Sequence, residues 1–276
     1  MKVSVITITG RELFIEYQIE YLKAQTLKDF EWVLVDDLYE KRKEEVARLV
    51  DGDFLLTHIP PKNIVEHFAV GAAANDGFVR ARGELVYFMA DYILINGNTL
   101  QRHWDIHTKY PNAIISGRCL EVGFLPEEMA LSGATFKGTD YRWSLFDSNL
   151  FLKRKVEVDI WEAYRDGVQN WWGGRNDSAP LEAILAVNGY DEQYDGCYGY
   201  HDDDAAQRMM TYGMRYLLDK QSLALQFPHK KSGKLRLRSM ESQQLLKDNL
   251  IPEKVGKGIY WANPHRNLKE ERCQKP

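Results

Sequence analysis

Three consecutive aspartates, Asp202, Asp203 and Asp204, follow His201 in the C-terminal half of the 276-residue chain. One aspartate is enough to cap a helix, and three in a row add repulsion between like charges. Such crowding raises the pKa of at least one carboxyl, which suits a general base that removes a proton from a hydroxyl group. The alternative interpretation of the run is a solvated acidic helix cap.

Further carboxylates follow two predicted strands. Asp36 and Asp37 end an apolar stretch at residues 30–35, and Asp91 ends another at residues 85–90. A carboxylate at the end of a second strand can hydrogen-bond a ribose hydroxyl or a base N–H. Asp91 has apolar neighbours, and a divalent ion shared with substrate phosphates would offset its charge. A turn or helix cap is the alternative for Asp36 and Asp37, and a turn at the strand end is the alternative for Asp91.

Two aromatic residues and one histidine are the remaining candidates. Trp171 and Trp172 stand beside Gly173 and Gly174, and indoles on a loop suit stacking on the apolar face of a sugar. Burial as core anchors is equally compatible with this pair, because tryptophan is usually buried. His229 follows a predicted strand and precedes two lysines, so it is either a metal ligand or an ordinary surface histidine.

Buried strands and amphipathic helices alternate along the chain and would position these side chains. Strand patterns cover residues 2–9, 30–35, 54–59, 85–90, 113–122, 216–218 and 223–227. Helical patterns cover residues 12–24, 40–50, 65–82, 98–109, 180–188 and 202–212. This alternation predicts an α/β fold with a mostly parallel central sheet flanked by helices, whose ligand lies at the carboxyl ends of the strands.

Composition places the chain among ordinary globular proteins, with 44% hydrophobic and 28% charged residues. No stretch reaches the roughly 20 apolar residues of a membrane span, so we expect a soluble, cytoplasmic protein. Three widely separated cysteines form neither a disulfide framework nor a metal-binding spacing.

Charge divides the chain unevenly, because twelve basic residues face five acidic ones after Pro228 whereas the whole chain carries a net charge of −4. We therefore predict a globular domain at residues 1–227 and a basic C-terminal extension at residues 228–276. The extension can contact nucleic acid or an anionic membrane surface, or it can be a solvated tail.

In their order along the chain, the motifs resemble those of the family 2 glycosyltransferases, which have the Rossmann-like GT-A fold. The matching stretches are VSVITIT at 3–9, LKAQT at 22–26, VLVDD at 33–37, AANDGFVRARGELVYF at 73–88, NGYDE at 188–192 and GYHDDDAAQR at 199–208. The resemblance covers residues 3–229. It implies that residues 1–227 form a catalytic domain, in which residues 1–122 bind the nucleotide sugar and residues 123–227 bind the acceptor and carry out catalysis. It also implies transfer of a sugar from a nucleotide donor, with UDP expected, to an acceptor hydroxyl with inversion.

The resemblance also implies roles for individual residues. Asp202 matches the family's catalytic base, with Asp203 beside it, and a Mn²⁺ or Mg²⁺ ion would be held by Asp91, with His229 a further ligand. The residues expected to bind the donor are Thr9, Arg11, Asp36, Asp37, Asn75, Arg82 and Asp91. The residues expected to bind the acceptor, a glycan or a modified nucleic-acid base, are Trp171, Trp172 and Asp204.

Two positions depart from the family pattern. The stretch Ala90-Asp91-Tyr92 keeps one aspartate of the D-x-D motif, and His201 replaces the usual glutamate. One alternative is therefore a protein that binds nucleotide sugars without turnover. Another is a sugar-nucleotide nucleotidyltransferase, which needs a Gly-rich basic loop after the first strand. Thr9-Gly10-Arg11 is a poor match to such a loop.

Overall fold

The structure is a computed structural model and describes residues 1–11, 15–62, 70–121, 160–162, 172–196, 199–227, 241, 244–246, 248 and 262–274. Within these ranges one nine-stranded sheet is covered by helices on both faces. The α/β fold class predicted from the sequence is confirmed.

The first part of the sheet is parallel. It consists of β1 (Val3–Thr9), β2 (Phe30–Asp36), β3 (Leu55–Ile59) and β4 (Leu85–Phe88), in the order β3-β2-β1-β4. β2 is buried along its whole length, as expected for a parallel strand covered on both faces. The register pairs Thr9 with Asp36, so both strands end in a polar residue at the same edge.

The second part of the sheet is mixed. It consists of β5 (Ile93–Ile95), β6 (Ala113–Glu121), β7 (Ile160–Glu162), β8 (Asp177–Pro180) and β9 (Arg215–Gln226). β8 is antiparallel to β4 and β6, β9 is parallel to β6, and β5 and β7 are antiparallel to β9. In the described residues, parallel pairing is thus confined to β1–β4 and to the β6–β9 pair.

The helices form two layers. They are α1 (Ile15–Lys23), α2 (Tyr39–Val50), α3 (Val70–Arg80), α4 (Thr99–Lys109), α5 (Leu181–Ala186), α6 (His201–Tyr212) and α7 (Leu268–Cys273), with a 3₁₀ helix at Glu192–Tyr194. Val5 faces the core shared with α1, α2 and α4, whereas the next residue, Ile6, faces the core shared with α3, α5, α6 and α7. None of the helices in the described ranges is long and apolar enough to cross a membrane.

Residues 262–274 pack onto the body of the chain, although the sequence suggested a separate extension from residue 228. Ala262 and Leu268 are fully buried, and Leu268 belongs to the core that contains α3 and α6. Asn188 donates its side-chain amide to the carbonyl of Arg266 at 2.7 Å and accepts the Leu268 amide at 2.9 Å. These residues therefore share a hydrophobic core with α3 and α6.

Two basic side chains of this segment are used inside the molecule. Arg266 pairs with Asp76 at 2.7 Å and with Glu192 at 2.6 Å. Arg272 donates to the carbonyl of Ala81. Their charges are consequently not part of a free basic surface.

Candidate active site

The strand ends of the parallel part meet in one hydrogen-bond network. Thr9 ends β1 and donates its hydroxyl to Asp91 Oδ2 at 3.0 Å. Arg42, on α2, donates to Thr9 Oγ1 at 3.3 Å and to the carbonyl of Arg11 at 2.6 Å. Arg42 also pairs with Asp36, at the end of β2. The structure thus brings Thr9, Arg11, Asp36 and Asp91 to the same edge of the sheet, as the parallel strands predict.

Asp36 is fully buried and surrounded by donors. Arg42 binds both carboxylate oxygens, at 2.6 and 2.7 Å, and His58 Nε2 and the Leu38 amide each lie 2.8 Å from an oxygen. Burial raises the pKa of Asp36, but these hydrogen bonds outweigh it and hold the pKa below its usual value. The Asp36 carboxylate is therefore hydrogen-bonded within the protein, and it holds the end of β2 in place. The sequence analysis missed Arg42 and His58.

Asp37 is the exposed carboxylate of this strand end. Its amide donates to the carbonyl of Thr9 at 2.9 Å, which places the side chain beside Gly10. A Cβ atom at Gly10 would lie 2.7 Å from Asp37 Oδ2, so the glycine makes room for this carboxylate. Partial burial and the neighbouring Asp36 raise the pKa of Asp37. Asp37 is thus better placed than Asp36 to accept a hydrogen bond from a nucleoside.

Asp91 is almost completely buried and lies next to an arginine. Arg11 Nη1 is 3.3 Å from Asp91 Oδ1, and the Arg11 guanidinium lies 5.2 Å from the centre of the Tyr92 ring. Burial and Asp91 raise the pKa of Tyr92 to about 12, while the charges of Arg175 and Arg11 act in the opposite direction. The positive charges of Arg11 and Arg175 therefore both act on Tyr92, which follows Asp91 after the end of β4.

The residues described around Asp91 do not fit a divalent cation. Mg²⁺ requires several oxygen ligands in octahedral geometry, whereas this carboxylate already contacts the Thr9 hydroxyl and the Arg11 guanidinium. Among the described residues, no group of three His, Cys, Asp or Glu side chains is arranged to hold a metal ion. His229, the second predicted ligand, lies outside the described residues.

A glycine pair connects the end of β4 with the acidic helix α6. The amide of Ala90 donates to the carbonyl of Gly174, and a Cβ atom at Gly174 would lie 2.9 Å from the Phe88 ring. On the other side, a Cβ atom at Gly173 would lie 3.1 Å from Asp202 Oδ2. Side chains at these two positions would crowd both neighbours. The residue before Asp91 and the first turn of α6 thus contact neighbouring glycines, whose lack of side chains permits both contacts.

Asp177, which the sequence analysis missed, fixes this segment from β8. Its Oδ2 atom accepts the amides of Gly173 and Arg175, both at 3.2 Å, and its Oδ1 atom accepts the hydroxyl of Ser116 at 2.5 Å. Burial raises the pKa of Asp177, although these hydrogen bonds and the charge of Arg175 oppose the rise. This role of Asp177 could not be predicted from the Gly-rich sequence, because the role depends on the pairing of β8 with β6.

The three aspartates of α6 have different environments. Asp202 and Asp203 are partly exposed in the first turn, whereas Asp204 is fully buried. Arg208 donates to Asp204 Oδ2 at 2.8 Å from Nε and lies 2.6 Å from it through Nη2. Asp204 therefore belongs to an internal ion pair and does not face an acceptor, contrary to the expectation for this residue.

Asp203 has a strongly perturbed carboxyl group. Burial, followed by the negative charges of Asp202 and Asp204, raises the pKa of Asp203 to about 7. Tyr200, which precedes the helix, has a left-handed backbone with φ of 67°, an uncommon conformation for a bulky residue. Such local strain is often found at functional sites, where the surrounding structure maintains it.

Trp172 is a core residue and does not present its ring to an acceptor. Its side chain is fully buried, stacked on Tyr190 at 5.4 Å and on Phe78 at 5.3 Å between ring centres. Of the two interpretations open from the sequence, the core anchor is the one that this geometry supports. Trp171 lies outside the described residues.

Two residues predicted to bind the donor lie away from the network at Thr9 and Asp91. Asn75 is buried in α3 and exchanges hydrogen bonds with the backbone of Tyr190, at 2.9 Å in both directions. Arg82 is 60% exposed, and its amide donates to Ser4 Oγ near the start of β1. That position is at the amino edge of the parallel strands, so the structure does not bring Arg82 to the strand ends.

Solved structures with a similar fold bind nucleotides. One is S. aureus TarS 1–349 in complex with UDP-GlcNAc, with a TM-score of 0.66, 14% identity, and coverage of 94% of this chain and 71% of that chain. The same protein in complex with UDP gives a TM-score of 0.61 at 15% identity, covering 92% of this chain and 72% of that chain.

GalNAc-T7 with UDP, GalNAc and Mn²⁺ gives a TM-score of 0.64 at 12% identity, and this chain spans about half of it, with 99% of this chain and 54% of that chain covered. No protein-family model and no curated protein sequence matches the chain. The sheet order, the helical layers and these structural matches together show that the chain has the GT-A-like fold of glycosyltransferases.

Proposed function

We propose that this protein transfers a sugar from a nucleoside-diphosphate donor to an acceptor hydroxyl, with inversion at the anomeric carbon. The observation that carries the proposal is a chain of contacts from Asp91 to Asp202. Thr9 donates to Asp91, the amide of the preceding Ala90 donates to the Gly174 carbonyl, and Gly173 lies beside Asp202 Oδ2. Open α/β sheets bind their ligands at the carboxyl edge of the sheet. UDP is the expected nucleoside diphosphate, since the TarS and GalNAc-T7 structures contain it.

Each group at the edge has a part in the proposed reaction. Asp37 accepts a hydrogen bond from the nucleoside, while Arg42 and Asp36 keep the strand end in place. Asp202 removes the proton of the acceptor hydroxyl as its oxygen bonds to the anomeric carbon. At the same time the bond from that carbon to the diphosphate oxygen breaks, and the nucleoside diphosphate leaves. Positive charge develops on the sugar ring in such a transition state.

The position of Asp202 supports its assignment as the base. It lies in the first turn of α6, where the helix dipole favours a carboxylate. The missing side chain at Gly173 leaves space beside Asp202 Oδ2 for an acceptor hydroxyl. Asp203, with its pKa of about 7, reduces the negative charge at the helix end when it is protonated.

A glycan is the acceptor that we propose. Arg266 and Arg272, two basic residues of the C-terminal segment, are engaged in contacts within the molecule. These two arginines are therefore not offered to the phosphates of a nucleic acid.

The test is sugar transfer from UDP-sugars, beginning with UDP-GlcNAc, to oligosaccharide acceptors. We expect UDP release that depends on acceptor, and a product whose anomeric configuration, read by NMR, is opposite to that of the donor. Asp202→Asn should lower kcat about 100-fold or more, while its affinity for UDP stays within about twofold of wild type. Asp105→Asn, at an exposed position on α4, is the matched control.

Two results would contradict the proposal. Full transfer activity in Asp202→Asn would remove this residue as the base. UDP binding by the wild type without release of the sugar to any acceptor would instead favour a binding protein, the alternative suggested by Ala90 and His201.

A further inference from the structure

We propose that Arg11 and Arg175 hold the diphosphate of the donor in place of a divalent cation, and that Asp91 positions Arg11. This inference rests on the proposed function, since it concerns the leaving group of the same reaction. The question is which positive charge balances the diphosphate at the end of β4. The D-x-D motif retains one aspartate there, between Ala90 and Tyr92.

Arg11 has an unsatisfied donor at the site. Its Nη1 atom is buried, has no hydrogen-bond partner among the described residues, and lies 3.3 Å from Asp91 Oδ1 without hydrogen-bond geometry. The side chain as a whole is 32% exposed, so one part of the guanidinium faces the protein and another is accessible to a ligand. The accessible part of the guanidinium can donate charge-assisted hydrogen bonds to phosphate oxygens.

Arg11 is also held in place from two sides. Asp91 balances its charge, and the Tyr92 ring lies 5.2 Å from the guanidinium carbon. The Arg11 amide donates to Thr9 Oγ1 at 3.3 Å, and the Arg11 carbonyl accepts from Arg42. A guanidinium that is oriented before the ligand arrives loses less entropy when it binds a phosphate.

Arg175 follows Gly174, whose carbonyl accepts the amide of Ala90, the residue before Asp91. The amide of Arg175 is fixed by Asp177 Oδ2 at 3.2 Å, its side chain is partly buried, and its charge acts on Tyr92 together with that of Arg11. Arg11 and Arg175 thus bring two positive charges to a region in which Asp91 and Asp177 carry their carboxyl groups. A diphosphate that leaves during transfer needs such compensation, and arginine binds phosphate oxygens in a bidentate manner.

The experiment measures the affinity for UDP and for UMP by calorimetry, in EDTA and in Mn²⁺. We expect wild-type protein to bind UDP in EDTA, with less than a threefold gain in Mn²⁺. Arg11→Ala should weaken UDP binding about 10-fold or more, which is typical of a lost charge-assisted hydrogen bond. It should weaken UMP binding less, because UMP lacks the second phosphate. Arg11→Lys should recover part of the UDP affinity that is lost in Arg11→Ala.

Two further variants distinguish diphosphate binding by Arg11 from binding through a metal ion at Asp91. Arg48→Ala removes an equally charged but exposed side chain from α2 and controls for overall charge. Asp91→Asn should weaken UDP binding less than Arg11→Ala does, and by the same factor in EDTA and in Mn²⁺. Thermal unfolding of each variant without nucleotide establishes that it is folded.

The inference is overturned if wild-type protein needs Mn²⁺ for UDP binding and Asp91→Asn abolishes this dependence. Equal UDP affinities of Arg11→Ala and Arg48→Ala would overturn it as well. Both results would leave the proposed glycosyl transfer standing. Failure of the wild type to bind UDP under either condition would instead refute the proposed function.

Discussion

The substitution Asp203→Asn tests the electrostatic description of the acidic helix end. The rise in the pKa of Asp203 from its usual 3.8 to about 7 means that ionisation of this carboxyl opposes folding above pH 4. The folded state binds the proton more tightly than the unfolded state, so this destabilisation grows between pH 4 and pH 7 and is complete above pH 7. A rise of this size corresponds to about 4 kcal/mol, which screening at a partly exposed site reduces to about 2 kcal/mol.

Asparagine has the shape of the protonated carboxyl and no charge at any pH. Thermal unfolding followed by circular dichroism should therefore give nearly equal midpoints for wild type and Asp203→Asn at pH 4. At pH 8 the variant should unfold about 5 °C higher. Asp105→Asn, exposed on α4, is the matched control. A stabilisation that is constant with pH, or one that is larger at pH 4, would refute the reasoning.

Substitutions of three other residues test contacts inside the molecule. Trp172→Ala should destabilise the protein by about 3–5 kcal/mol in denaturant titration, because it removes a fully buried indole from an aromatic stack. Arg266→Ala should cost about 3 kcal/mol, since the buried Asp76 loses its ion-pair partner. Arg42→Ala should destabilise by a similar amount, about 3 kcal/mol, and weaken UDP binding in calorimetry. Arg42→Lys should restore only part of the stability and UDP affinity lost in Arg42→Ala, because an ammonium cannot replace the bidentate contact with Asp36.

The parallel part of the fold could be predicted from local sequence. β1 and β2 are nearly continuous buried strands, and α2 has an apolar stripe on a charged helix, so each element has a clear pattern of its own. β5 and β8 were missed because they have three and four residues, too few for a periodic signal. Their strand conformation follows from pairing with distant strands.

β9 shows how a tertiary contact overrides a local pattern. The sequence suggested two short strands at 216–218 and 223–227, separated by polar residues, whereas one strand runs through Arg215–Gln226. Asp219, in the polar stretch, is fully buried and pairs with Arg102 of α4. The charge that seemed to interrupt the strand is compensated from another element, and the strand therefore continues.

Part of the candidate site could also be predicted from the sequence. Carboxyl ends of parallel strands meet at one edge, so the approach of Thr9, Asp36 and Asp91 follows from their positions after apolar stretches. The sequence does not tell which carboxylates are already paired. Asp204 and Arg208 are one helical turn apart, and this spacing was a usable signal for their ion pair. The pairing of Asp36 with Arg42 joins a strand to a helix and had no comparable signal.

The position of Asp202 depends on residues far away in the chain through successive buried contacts. Asn263 donates its side-chain amide to the carbonyl of Tyr190 at 2.7 Å, and the Tyr190 hydroxyl donates to the carbonyl of Trp172. The amide of Trp172 in turn approaches the carbonyl of Asp202 at 3.5 Å. Each buried polar group in this series would lose its partner if one member moved, and the cost of that loss keeps the series in a single arrangement. The geometry of the proposed base is therefore fixed partly from residue 263, which no pattern within residues 199–208 could reveal.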